Sequence, residues 1–89
     1  MSEIVCRATA GTLESSDVFV TLEPHEDGLQ IDIDSVVQEQ FGEVILHTVE
    51  DVLEEMQVRN ARLTIVDRGA LDCVIRARVE TAVLRGKGE

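Results

Sequence analysis

Val18-Phe19-Val20-Thr21-Leu22-Glu23-Pro24-His25-Glu26-Asp27-Gly28-Leu29-Gln30-Ile31-Asp32-Ile33-Asp34 holds two alternating runs around one break. Val18, Val20 and Leu22 alternate with Phe19, Thr21 and Glu23, the period of a half-buried strand. Pro24 ends that run, and Asp27-Gly28 supplies a tight reversal. Leu29, Ile31 and Ile33 then alternate with Gln30, Asp32 and Asp34. The two runs are expected to pair as a β-hairpin whose second strand has an acidic outer face.

The pattern changes period immediately afterwards. Ser35 is a good N-cap, with Gln38 three residues on as in a capping box. Val37, Phe41, Val44, Ile45, Thr48, Val52 and Met56 recur at steps of three and four, widened by Val49 and Leu53, while Glu39, Glu43, Glu50, Glu54 and Glu55 fill the other side. This predicts one long helix of about 20 residues, roughly 30 Å. Gly42 inside it costs up to about 1 kcal/mol relative to Ala.

Arg59-Asn60 breaks the helix, Arg62 to Val66 reads as a third strand, and Asp67 to Ala70 as a turn. Two patterns overlap in residues 71–85. Cys73, Ile75, Ala77 and Val79 alternate as in a strand; Leu71, Val74, Ile75, Val79, Ala82 and Val83 fit a helical stripe. The preferred expectation is a strand over 72–78 and a short helix over 79–85, with one continuous helix as the alternative. The order β-β-α-β-β-α makes the class α+β: a two-layer α/β sandwich with a largely antiparallel sheet of about four strands. Residues 1–89 are expected to form a single domain, with 1–9 a loose lead-in and 86–89 a frayed tail.

Composition narrows the function. Phe19 and Phe41 are the only aromatic residues, so stacking platforms for bases or sugars are lacking. The net charge is −10, and residues 1–60 carry 14 acids against 2 bases. Such a chain is repelled by nucleic acid and anionic lipid. Its acidity serves solubility or steers it onto a basic partner surface. No apolar run approaches the roughly 20 residues of a membrane span, and the first residues lack the pattern of a secretory signal. Cytoplasmic location and free Cys6 and Cys73 are therefore expected.

Residues 10–17, Ala-Gly-Thr-Leu-Glu-Ser-Ser-Asp, form a short polar loop ahead of the first strand. Ser15 and Ser16 lie between two carboxylates, Glu14 and Asp17. A loop of this make-up runs over the surface, where a serine hydroxyl is open to covalent modification. From spacing alone, either serine could equally bond the loop backbone.

Ala10-Gly11-Thr12-Leu13-Glu14-Ser15-Ser16-Asp17-Val18 resembles the N-terminal signature of the acyl carrier (gamma) subunits of citrate lyase. Ile33-Asp34-Ser35, Gln40-Phe41-Gly42 and Arg68-Gly69-Ala70-Leu71-Asp72-Cys73-Val74-Ile75-Arg76-Ala77-Arg78 agree with that family too, in order along the chain. The resemblance implies a non-catalytic carrier. It implies that Ser15, directly after Glu14, bears a phosphoribosyl-dephospho-CoA group through a phosphodiester, with Ser16 the lesser candidate. It implies a thiol holding acetyl and then citryl while citrate is cleaved to acetate and oxaloacetate. The implied partners are an alpha (acyl transferase) subunit, a beta (citryl lyase) subunit and the prosthetic-group transferase. The alternatives are the carrier subunit of malonate decarboxylase and a non-carrier acidic interaction module.

Other routes are poorly supplied. Lys87 is the only lysine, so biotin, lipoyl and Schiff-base attachment lack a well-placed amine. His25 and His47 have no second ligand at metal spacing. Glu14 and Asp17 are candidates for recognition or loop shaping. Arg76 and Arg78 are candidates for pairing with the acidic helix, or for contacting prosthetic-group phosphates or a partner.

Overall fold

The structure, a computed structural model, describes residues 2–88. Its elements are β1 (Ala8–Gly11), β2 (Val18–Pro24), β3 (Leu29–Ser35), α1 (Gln38–Glu55), β4 (Ala61–Asp67) and α2 (Asp72–Gly86). The strands form one four-stranded sheet in the order β1-β2-β4-β3. β1 pairs antiparallel with β2, β2 antiparallel with β4, and β3 parallel with β4. Both helices cover one face, so the molecule is the expected two-layer α+β sandwich with a mostly antiparallel sheet.

Three expectations about detail are corrected. First, β2 and β3 run in opposite directions but do not pair, because β4 lies between them. The reason is burial. In β4, Ala61, Leu63 and Ile65 are fully buried, whereas Ile31 and Ile33 of β3 are only half-buried. The more apolar strand takes the interior position, and α1 serves as the crossover that a parallel β3–β4 pair requires.

Second, residues 72–78 are helical, and α2 runs unbroken to Gly86. Ile75, Val79, Ala82, Val83 and Gly86 face the core, while Cys73 and Ala77 of the alternating pattern are exposed. Third, the fourth strand is β1, within the stretch expected to be lead-in and loop. Ala8 and Ala10 point into the core from it.

The lead-in is tied down as well. Ile4 is 1% exposed, and the N–H groups of Val5 and Cys6 donate to the carbonyl of Gly86. Ser2 Oγ bonds the Asn60 carbonyl, and Glu3 Oε1 accepts the N–H groups of Arg59 and Asn60. At the other end Lys87 Nζ donates to the Met56 carbonyl at 2.9 Å. Glu89 of the expected frayed tail lies outside the described residues.

The entry to α1 keeps the capping chemistry in an altered place. Ser35 ends β3, its Oγ accepts the Val37 N–H, and its own N–H donates to Gln38 Oε1. The helix starts three residues later than Ser35, at Gln38, with no side-chain cap at Val37. Ile45, Thr48, Val49, Val52 and Leu53 form its buried stripe. Phe41 and Val44, expected to extend that stripe, are half-exposed near the N-terminal end of the helix. Among the described residues no helix is long and apolar enough to cross a membrane.

Candidate attachment site

β1 and β2 form a hairpin, and its connection, Thr12–Asp17, is the loop singled out in the sequence. Gly11 makes the bend. Its φ is +90°, and a β-carbon there would sit 1.8 Å from the carbonyl oxygen of Val18. Only hydrogen fits such an approach between two backbones.

The loop then closes a turn in which Asp17 N–H donates to the Glu14 carbonyl at 3.1 Å. Ser15 and Ser16 are its two central residues, with Ser16 at φ 65°. Both serines are exposed, and among the described residues neither hydroxyl bonds another protein group. The local hydroxyl-to-backbone role is filled by Thr12 instead. Its Oγ1 accepts the Glu14 N–H and donates to Asp17 Oδ2 at 2.7 Å.

Asp17 is the centre of the brace. Besides the Thr12 hydroxyl, its carboxylate accepts the Val18 N–H at 2.8 Å. Arg78 on α2 adds a two-pronged contact, Nε to Oδ1 at 3.2 Å and Nη2 to Oδ2 at 3.1 Å. The Thr12 hydroxyl first, then the Val18 N–H, pull the Asp17 pKa down to about 2 against the opposing effect of burial, with the Arg78 guanidinium adding a lesser pull in the same direction. From the β4 side, Ser16 N–H donates to the Arg68 carbonyl and Arg68 N–H to the Asp17 carbonyl, at 2.8 and 2.9 Å. These two bonds continue the β2–β4 ladder past Val18 and Asp67. The turn is therefore held on both flanks while its tip faces solvent.

The adjoining turn has its own anchor. Asp67, 1% exposed, accepts the Ser35 hydroxyl and the Ala70 N–H at 2.8 and 2.9 Å. The other sequence candidates lie apart from the loop. Arg76 pairs with Glu55 of α1, the bland role considered for it. His25 lies in the β2–β3 turn and His47 is exposed on α1. Among the described residues no group of three His, Cys, Asp or Glu side chains could hold a metal ion. Cys6 and Cys73 are both free and exposed.

Asp17 and Arg78 were named in the sequence, but not as a pair. Thr12 and Gly11 were missed as loop-shaping residues. A glycine directly after an alanine, followed by a threonine five positions before an aspartate, was the available signal.

An exposed, unengaged hydroxyl on a braced turn suits a protein that presents a group to other enzymes. Comparison with known proteins narrows that class. Residues 6–86 match the family model described as ACP: Malonate decarboxylase delta subunit (MdcD). A chain in the crystal structure of a Pseudomonas malonate decarboxylase hetero-tetramer in complex with malonate is 28% identical, with a TM-score of 0.79. The match covers 90% of this chain and 82% of that one. The citrate lyase acyl carrier protein of Vibrio cholerae serotype O1 (strain M66-2) is 57% identical over 79 residues, 88% of this chain and 81% of the relative. That of Latilactobacillus sakei (strain 23K) is 49% identical over 82 residues, 92% of this chain and 81% of the relative. The chain belongs to the citrate lyase acyl carrier protein family. Its role is acyl carriage, and it is not itself an enzyme.

Proposed function

We propose that Ser15 is the attachment point of the prosthetic group and that this chain is the carrier subunit of a citrate lyase complex. The observation that supports the assignment is the Ser15 hydroxyl itself, exposed and unengaged on a turn fixed from both sides. The group in question is phosphoribosyl-dephospho-CoA, joined to the serine oxygen through a phosphodiester. When bound, it supplies a thiol that holds acyl groups as thioesters.

The residues of the chain fit that task without supplying catalysis. Ser15 offers an oxygen, and the modifying transferase brings its own base. Gly11, Thr12 and Asp17 hold the turn so that the oxygen projects from the domain. Arg78 neutralises the Asp17 carboxylate behind the turn, which limits repulsion between that carboxylate and an incoming phosphate. The domain tethers. An acyl group on a short arm is kept at high effective concentration near each active site that processes it. In this reading the partners are an alpha subunit that exchanges acyl groups, a beta subunit that cleaves the citryl unit to oxaloacetate, and the prosthetic-group transferase, all cytoplasmic.

A second reading, the carrier of a malonate decarboxylase, is favoured by the family description and by the solved relative. The identities favour citrate lyase, at 57% for the Vibrio relative against 28% for the malonate decarboxylase chain. Complexes assembled with wild type, Ser15→Ala and Ser16→Ala separate the cases. Citrate cleavage is expected in wild type and Ser16→Ala and lost in Ser15→Ala. Cleavage by the Ser15→Ala complex would overturn the assignment. Activity on malonate with none on citrate would select the second reading.

A further inference from the structure

The two edges of the sheet are treated differently. β1 has only four residues, and Arg85 Nη1 on α2 donates to its Thr9 carbonyl at 2.8 Å. β3 has seven residues and bonds β4 along one side. Among the described residues, no protein group pairs with the outward N–H and C=O groups from Leu29 to Asp34. Beside that open edge, between β3 and α1, runs a groove of about 340 Å³. Ile31 and Ile33 form one wall and Leu46 the other, and Gly42 leaves the α1 side without a side chain. Asp32 and Asp34 are exposed on the opposite face of the strand.

We propose that the β3 edge receives an extended segment of another polypeptide, in which apolar residues alternate with lysine or arginine. The backbone of such a segment would complete the ladder of β3. Successive side chains of a strand point to opposite faces. One set would therefore enter the Ile31–Ile33–Leu46 groove, and the other would lie beside Asp32 and Asp34. Charge decides between a foreign partner and a second copy. Pairing two β3 edges would bring the aspartates of one copy against those of the other, and like charges across a ladder repel. A basic strand meets them favourably. The proposal does not depend on Ser15. The attachment hairpin β1–β2 lies at the far edge of the sheet, so a strand docked on β3 leaves the loop free to visit active sites.

The test uses the full chain, labelled for ¹H–¹⁵N spectra, and a synthetic seven-residue peptide alternating valine and lysine. Saturable shifts are expected at β3, Gly42 and Leu46. A peptide with glutamate for lysine should bind roughly tenfold more weakly or worse, because each cross-strand charge pair changes sign. The lysine peptide N-methylated along one edge keeps every side chain but loses its ladder donors, and should not bind. Gly42→Val should weaken binding in a folded protein, since a β-carbon there meets only the flexible Gln38 side chain, at 3.1 Å. The proposal is overturned if the lysine peptide gives no saturable shift at β3. It is equally overturned if the N-methylated or glutamate peptide binds as well, or if the chain alone dimerises through β3.

Discussion

Replacing Gly11 by alanine tests whether the attachment loop is built the way the structure implies. Two penalties add. At φ +90° an L-residue is in a region costing about 1–2 kcal/mol. The β-carbon would also lie 1.8 Å from the Val18 carbonyl oxygen, so one of two backbones bonded in the same ladder has to move. A backbone shift forced by added atoms in a packed site costs a further 1–3 kcal/mol or so. The sum is about 2–5 kcal/mol, a large part of the roughly 5–15 kcal/mol that holds a domain together. For a domain of this size each kcal/mol lowers Tm by about 4–8 °C, so a fall of at least about 8 °C is expected. The chain has no Trp or Tyr, so far-UV circular dichroism or calorimetry is the suitable readout. Gly42→Ala is the internal control. Gly42 is helical, and alanine there should leave Tm unchanged or raise it by up to about 1 kcal/mol equivalent. A Gly11→Ala protein melting within a few degrees of wild type would refute the geometry of the hairpin. So would an equal loss in Gly42→Ala.

Other consequences concern the brace and the lead-in. The folded-state pKa of Asp17, about 2, lies below its ordinary value of 3.8. A depressed carboxylate contributes stability that is present above the unfolded value and lost as pH falls through the folded one. Wild-type Tm should therefore fall more steeply than that of Asp17→Asn between about pH 4 and pH 2; parallel curves would contradict the role given to Asp17. Arg78→Ala should speed hydrogen exchange at the Ser16 and Val18 amides while changing exchange in α1 little, because the contact joins the loop to α2 alone; uniform change across the chain would count against a local brace. Ile4→Ala removes a side chain only 1% exposed and should cost about 2–5 kcal/mol, read as a fall in Tm. A neutral result would return the lead-in to the loose segment that its sequence suggests.

That last contrast shows where sequence reading stops. β2, β4 and α1 were legible because Val, Ile and Leu recur there with a clean period. The loop was legible through its polar residues, and Ser15 through its family signature. β1 was not, because Ala8-Thr9-Ala10-Gly11 carries little strand propensity; its place depends on what Ala8 and Ala10 touch. The interposition of β4 between β2 and β3 was also hidden. Alternation assigns a face to each residue but names no neighbouring strand. In α2 two periods coincided on Ile75 and Val79, and only the exposure of Cys73 and Ala77 separates them. The brace was out of reach for a different reason. Arg78 meets Asp17 across 61 positions of sequence, through a helix whose location the pattern had left open.

The claim on which the functional account rests is that one particular oxygen carries the acyl arm. Fragment-ion mapping of the chain, purified from cells that contain the full maturation system, tests it directly, since fragments between the adjacent serines tell them apart. The account predicts that the added mass resides wholly on Ser15 and that Ser16→Ala is loaded to the same extent. Added mass on Ser16 or on any other residue, or a working complex whose carrier is unmodified, would contradict it.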